Sequence, residues 1–464
     1  MTRLLFSFDT EDFTCERAAD AIYNLAEILR AEGVKGCFAL VGLLAEQLQN
    51  WGRTDVLEAL SHHEVVFHSW GHTYHPTISE LTDIADFAEA KRLYVERESK
   101  GAQMVEAATG QKQNICAVPP GNSFGYAAQY ALAEMGFAIM AGTAMAVPDS
   151  RPMHYCNLCH IRYNTQLEHA KRNHLFEADL TDEHLQWIVD QEAENEYCVM
   201  YNHPNRAMYT KFWDGCNYNK VNMHPFGQWV EAERETPERT ANFYKNFRRL
   251  VRKFKEDRRF RFTTYSEIAA ELSHLKATRR PITLEDIPAL KAQLDEAFYP
   301  VTLPESYCIS DLFLACRSLL LGQKSHTCGT VYGFLDTPVG IIAPVTVTAD
   351  QMRASAKEMS ADGFLPTQIT VGEQNLGPAD WLYAALEVLC GAQSVTLQPR
   401  VSQLPAAPGR EPIDEMPGLK NFTFVGDWME GDDFEDKHLS HRTRLQIWTM
   451  RYTRGSSRYA PFAE

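Results

Sequence analysis

Two histidines four residues apart, His68-Ser-Trp-Gly-His72, directly follow the apolar run Glu64-Val-Val-Phe67. At that spacing two imidazoles can face one side of a helical turn and share one metal ion. The chain holds 16 histidines, so a close pair needs company before it means anything. The company is specific. The first apolar run ends Phe8-Asp9-Thr10-Glu11-Asp12, and a metal-assisted hydrolytic centre needs both an anionic ligand and a separate base. In Tyr201-Asn-His203-Pro204 a histidine closes another apolar run, and an imidazole with an ordinary pKa of about 6.5 can deliver a proton near neutral pH. The stretch Val118-Pro-Pro-Gly-Asn-Ser-Phe-Gly125 is rich in turn formers that bring backbone amides close to a ligand. A structural role competes at the first site, where Thr10 or Asp12 could cap a helix beginning near Glu16.

The elements that must hold these residues alternate. Leu4–Phe8, Val34–Val41, Glu64–Phe67, Ile115–Val118, Ala138–Ala141, Tyr197–Tyr201 and Phe260–Thr264 read as strands, with helical patterns between them such as Ala18–Ala31 and Ala241–Phe254. Repeated βα units build a parallel sheet, and a barrel of this kind carries its chemistry on the loops after the strands. The fold expected is α/β, a distorted (β/α) barrel of about seven strands over residues 1–276. A basic, Pro-containing stretch, Lys276-Ala-Thr-Arg-Arg-Pro281, marks the boundary, and residues 277–464 are expected to form a separate α+β accessory domain docked on the barrel. Within it Asp311–Gln323 resembles Asp380–Ala392, a candidate internal repeat. Gln403–Pro412 reads as an extended Pro-rich segment, and the aromatic run Phe422–Trp428 and Trp448 as a surface that closes against the barrel or a second copy, making a homo-oligomer.

At 464 residues the chain has room for two or three domains, and 45% hydrophobic residues exclude a disordered chain. Lys+Arg 45 against Asp+Glu 61 leaves a net charge of −16, which argues against nucleic acid or an anionic membrane as partner. The run between Arg3 and Asp9 is too short for the apolar core of a signal peptide, and nothing approaches a membrane span. Eleven scattered cysteines read as buried thiols of a reducing compartment, so a cytoplasmic location is expected. Cys156-Asn-Leu-Cys159-His160 matches the spacing of c-type haem attachment, but that chemistry follows export, and the pair is read as buried strand thiols.

In this order, Phe8-Asp9-Thr-Glu-Asp12, His68-Ser-Trp-Gly-His72, Val118-Pro-Pro-Gly121 and Tyr201-Asn-His203 resemble the motifs of the polysaccharide deacetylase family with the NodB homology domain. Phe260–Ile268 is similar to that domain's closing unit, so the resemblance spans residues 1–276. It implies a metal-dependent hydrolase that removes acetyl groups from an acetylated sugar or related amide. Asp9 would be the general base, His203 the general acid, and His68 and His72 ligands of one divalent ion, zinc or else cobalt, nickel or manganese. Thr10 stands where the family commonly has a second Asp, so the ligand carboxylate falls to Glu11 or Asp12, of which Asp12 is preferred. Val118 stands where the family has an arginine that tethers the base, which removes a neighbour that would lower the pKa of Asp9. A carboxylate should orient His203, with Asp179 or Asp182 the candidates. Two other readings remain open: hydrolysis of another C–N bond such as a cyclic amide, and an inactive barrel serving carbohydrate binding or assembly.

Overall fold

The computed structural model describes residues 1–123, 125–142, 152–218, 223–272, 279–360, 363–407, 409–412 and 429–453. Phe124, Lys276 to Thr278 and the run Phe422–Trp428 lie outside the described residues. The chain forms two compact units. Unit 1 comprises Met1–Met145, His160–Glu271 and Thr423–Leu439, and unit 2 comprises Ala146–Cys159, Leu272–Phe422 and Ser440–Glu464. The division falls at Leu272, beside the expected boundary, and two short segments change sides.

The strands in chain order are β1 (Thr2–Thr10), β2 (Cys37–Leu40), β3 (Glu64–Phe67), β4 (Cys116–Ala117), β5 (Ile139–Gly142), β6 (Met153–Tyr155, in unit 2), β7 (Leu158–Arg162), β8 (Thr165–Gln166), β9 (Tyr197–Asn202) and β10 (Phe260–Phe262). In unit 1 the sheet runs β7-β5-β4-β3-β2-β1-β9-β8, with β10 also paired to β1. The pairings of β1 with β2, β9 and β10, and of β2 with β3, β3 with β4 and β4 with β5, are parallel. This is the distorted (β/α) barrel, and all seven strands read from the sequence are in it. β7 and β8 were not read. Their sequences, Leu-Cys-His-Ile-Arg and Thr-Gln, carry no apolar run for the eye to catch.

β1 is buried along almost its whole length, as a strand covered on both faces must be. Its Phe6 and Phe8 meet Phe247 edge to face at 5.5 and 6.1 Å, which seats the helix Pro237–Glu256 against the sheet. Register does the positioning. Because β1, β2, β3, β4 and β9 run the same way, the residues that follow them emerge on one rim: Asp9 and Glu11 from β1, His68 from β3, Val118 from β4, His203 from β9.

Unit 2 is α+β and built twice on one plan. In its first half β11 (Ile282–Thr283), β12 (Val301–Thr302), β13 (Ser306–Tyr307) and β14 (Ser325–His326) alternate with helices Ile287–Glu296 and Ile309–Leu320. In its second half β15 (Val345–Thr348), β16 (Ile369–Val371), β17 (Gln374–Leu376) and β18 (Ser394–Leu397) alternate with helices Ala349–Glu358 and Pro378–Leu389. Each half pairs its outer strands antiparallel, β11 with β14 and β15 with β18, and closes its inner two as a ladder. Asp311 and Asp380, the acids that open the candidate repeat, sit at the same capping position of their helices. No helix among the described residues is long and apolar enough to cross a membrane, and no disulfide is present among them.

Candidate metal and catalytic site

Asp9 lies on β1, while Glu11 and Asp12 follow the strand's end and turn to different partners. Glu11 Oε2 lies 2.8 Å from His72 Nε2 and 3.4 Å from His68 Nε2, while Glu11 Oε1 accepts the indole N–H of Trp213 at 3.0 Å. The ligand atoms of Glu11, His68 and His72 all lie within 4.8 Å of one another, and the three residues are buried. Asp12, the preferred carboxylate of the sequence reading, turns away: its Oδ1 accepts the backbone N–H of Thr14 at 3.0 Å and the Thr14 hydroxyl at 2.7 Å. It holds the turn ahead of the short helix Glu16–Ala18, and burial pushes its carboxyl up to about 7.

The histidines also meet by a different route from the one expected. Residues 68–72 form no helical turn. Ser69 and His72 both take left-handed backbone angles, φ 74° and 50°, and Ser69 Oγ accepts the His72 N–H at 3.0 Å. Two non-glycine residues in that region are strain of the kind found at functional sites, and it brings the rings to 5.1 Å.

This donor set suits a cation. His68 Nδ1 donates to the carbonyl of Val118 at 2.7 Å, so that a neutral His68 would present its Nε2 lone pair toward Glu11. Two acceptors facing one another in a buried site repel unless a positive centre lies between them, and one carboxylate with two imidazoles is a common first-row metal set.

Beside this cluster stand Asp9 and His203, the expected base and acid. Asp9 is nearly buried, and burial raises its pKa against the pull of His68 and His203. Its Oδ1 accepts from the Tyr163 hydroxyl at 2.8 Å, and its Oδ2 lies 3.6 Å from His203 Nε2. His203 Nδ1 is 2.5 Å from Glu168 Oε1. Burial disfavours charge on His203, but Glu168, with Glu11 and Asp9, outweighs it and raises the imidazole to about 10. Glu168 is lowered despite its burial, by the charge of and hydrogen bond from His203, and Asn202 Nδ2 and Gln166 Nε2 hold it at 2.8 Å each. The carboxylate at His203 is therefore neither Asp179 nor Asp182. Asp182 pairs with Arg249 at 2.7 Å, and Thr181 caps the helix that follows.

Asp9, Glu11, His68, His72 and His203 line one cavity of about 440 Å³ together with Gly121, Phe212 and Asp214. Gly121, at φ 49°, supplies the turn expected of the Pro-Pro-Gly loop. Phe212 stands edge-on to His203 at 4.9 Å, whereas Phe13, Trp213, Tyr218, Phe226 and Trp229 pack on one another. Asp214, raised to about 7 by burial and by Glu11, places Oδ2 3.8 Å from His72 Nδ1. Glu11 was one of the two carboxylates that the motif after the first apolar run offered. Tyr163, Glu168, Trp213 and Asp214 carry no motif and reach the site only through the fold.

No family model and no curated protein matches the chain. Among solved structures it is similar to the family 4 carbohydrate esterase from Streptomyces lividans, at 12% identity and a TM-score of 0.31, over 57% of this chain and 92% of that one. It is similar to a CE4 family pseudoenzyme from Bacillus anthracis at 14% and 0.31, over 57% and 70%. It is also similar to PuuE allantoinase at 13% and 0.37, over 59% and 90%. Likeness at this level leaves the functional reading to rest on the site.

Proposed function

We propose that unit 1 is a metal-dependent hydrolase that removes acetyl groups from an acetylated amino sugar or a related amide. The observation that carries this reading is the pairing of a buried base, Asp9, with a charged acid, His203, on the cavity that Glu11, His68 and His72 also line. An electron-transfer or oxygenase centre has no use for a flanking base and acid; hydrolysis of an amide needs both. A divalent ion held by Glu11, His68 and His72, zinc first and cobalt, nickel or manganese as substitutes, would supply Lewis acidity toward an acyl oxygen and make water more acidic.

The protein's own groups do the rest. Asp9 takes the proton of the attacking water through Oδ2, the oxygen not engaged by Tyr163. His203 remains protonated at neutral pH because Glu168 holds its Nδ1, and Nε2, 3.6 Å from Asp9 Oδ2, passes a proton to the departing amine. Gly121 lines the same cavity, and a backbone amide of its turn would meet the negative charge that develops on the acyl oxygen. The cavity is of a size that takes a single small ligand unit. Acetate release by the purified protein with added divalent metal tests the reading, run beside small cyclic amides on one panel. Turnover of the acetylated substrates is the expected result; turnover of only the cyclic amides, or of nothing, overturns it.

A further inference from the structure

We propose that Tyr163 is the positioning residue for Asp9, and that it acts at the head of a buried chain of three hydroxyls whose hydrogen bonds run in one direction. The kinetic part of this inference rests on the proposed function; the structural part does not. An ionised Asp9 has no proton to give, so the Tyr163 hydroxyl at 2.8 Å must donate to it. The Tyr163 oxygen is then left to accept, and Ser7 Oγ stands 3.1 Å away to donate. Ser7 in turn accepts from the Tyr265 hydroxyl, also at 3.1 Å.

Three separate elements converge in this chain. Ser7 lies two residues before Asp9 on β1 and shares its face, Tyr163 follows β7 directly, and Tyr265 opens the helix Tyr265–Leu272. Tyr163 is 4% exposed and Ser7 and Tyr265 are fully buried, so water does not compete for these bonds, and each bond polarises the next. The Tyr163 ring is stacked on Tyr201 at 4.6 Å, which holds the phenol in place. Val118, where the family resemblance expects a tethering arginine, is buried and gives its carbonyl to His68 instead. Orientation of the base thus passes from a cation to a neutral hydroxyl.

The test is Tyr163→Phe in the full-length, metal-loaded protein, which keeps the ring and removes the hydroxyl. We expect kcat for acetate release to fall about 10- to 100-fold with KM and metal content unchanged, the size of effect that misplacement of a reacting group produces. Ser7→Ala should lower kcat in the same sense by less. Crystal structures of the parent and both variants supply a readout independent of turnover: Asp9 should hold one orientation in the parent and be rotated or split in Tyr163→Phe, less so in Ser7→Ala. Parental kcat in Tyr163→Phe, or a rise in KM alone, overturns the proposal. An unchanged Asp9 orientation in the variants overturns it whether or not any acetylated substrate is turned over. A parent inactive on the whole panel would count against the proposed function alone.

Discussion

Both units bury acidic side chains, and they bury them for opposite purposes. In unit 2, Asp311 Oδ2 accepts the backbone N–H of Cys308 and the Arg279 guanidinium, and Asp380 Oδ2 accepts from the backbone of Gly377 and Ile341 and from Gln403. These carboxylates close the N-termini of their own helices, and Arg279 and Gln403 add one side-chain partner to each. In unit 1, Asp9, Glu11 and Glu168 are met by side chains from distant elements: tyrosine, tryptophan and histidine. Asp9 and Glu11 line a cavity. The first pair hold the ends of their own helices, and the second set meets side chains that the fold brings together from far along the chain.

This contrast can be broken by substitution. The largest effect is expected for Glu11→Ala and His72→Ala: metal content measured on the purified protein should drop from about one ion per chain to none, with loss of turnover. Asp9→Asn should keep the metal and lower kcat by about 10²-fold or more, the worth of a positioned base. Metal loss in Asp9→Asn with retention in Glu11→Ala would reverse the assigned roles.

Asp311→Ala probes the other unit. It strands Arg279, itself 8% exposed, and should destabilise unit 2 by about 3 kcal/mol or more in denaturant unfolding while metal content stays the same. Equal metal loss there would erase the distinction between the two kinds of buried acid.

The pH dependence is a finer probe. His203 has a folded-state pKa raised to about 10, above its ordinary value, so the stability its charge contributes is fully present below about pH 6.5 and is lost as pH rises through about 10. Glu168→Gln removes the main cause and should move both this loss and the alkaline limb of kcat/KM to lower pH. An unmoved limb would mean that Glu168 does not set the charge of His203. The smallest effect is expected for Asp12→Ala, which forfeits the turn at Thr14: about 1 kcal/mol of stability, with the metal retained.

Asp9 and His68 directly follow apolar runs, His203 stands one residue beyond its run and His72 four residues beyond His68, and a run's end is where a parallel sheet exposes its chemistry. The expected carboxylate, Asp12, is taken up by Thr14, and Glu11 is the one that reaches both histidines, because the chain turns after the end of β1. The candidate repeat of unit 2 was visible in its two apolar helices, but the strands that complete each half are two to four residues long and leave no periodic trace.

What the sequence by itself determined, then, is the set of strands that carry reactive residues at their ends and the class of chemistry those residue types allow, since burial periodicity and ligand chemistry are local properties. Only the tertiary structure decided which carboxylate joins the histidines, that Glu168 lies 35 residues before the imidazole it holds, and that Tyr163 reaches the base. It also decided that residues 429–439 belong with unit 1, where Gly431 N–H donates to Glu80 at 2.7 Å and Lys437 N–H to Asp83 at 2.8 Å. Such pairings follow from strand order and from how each loop re-enters the barrel rim. Those depend on the summed packing of the whole unit, so no short stretch of the chain encodes them.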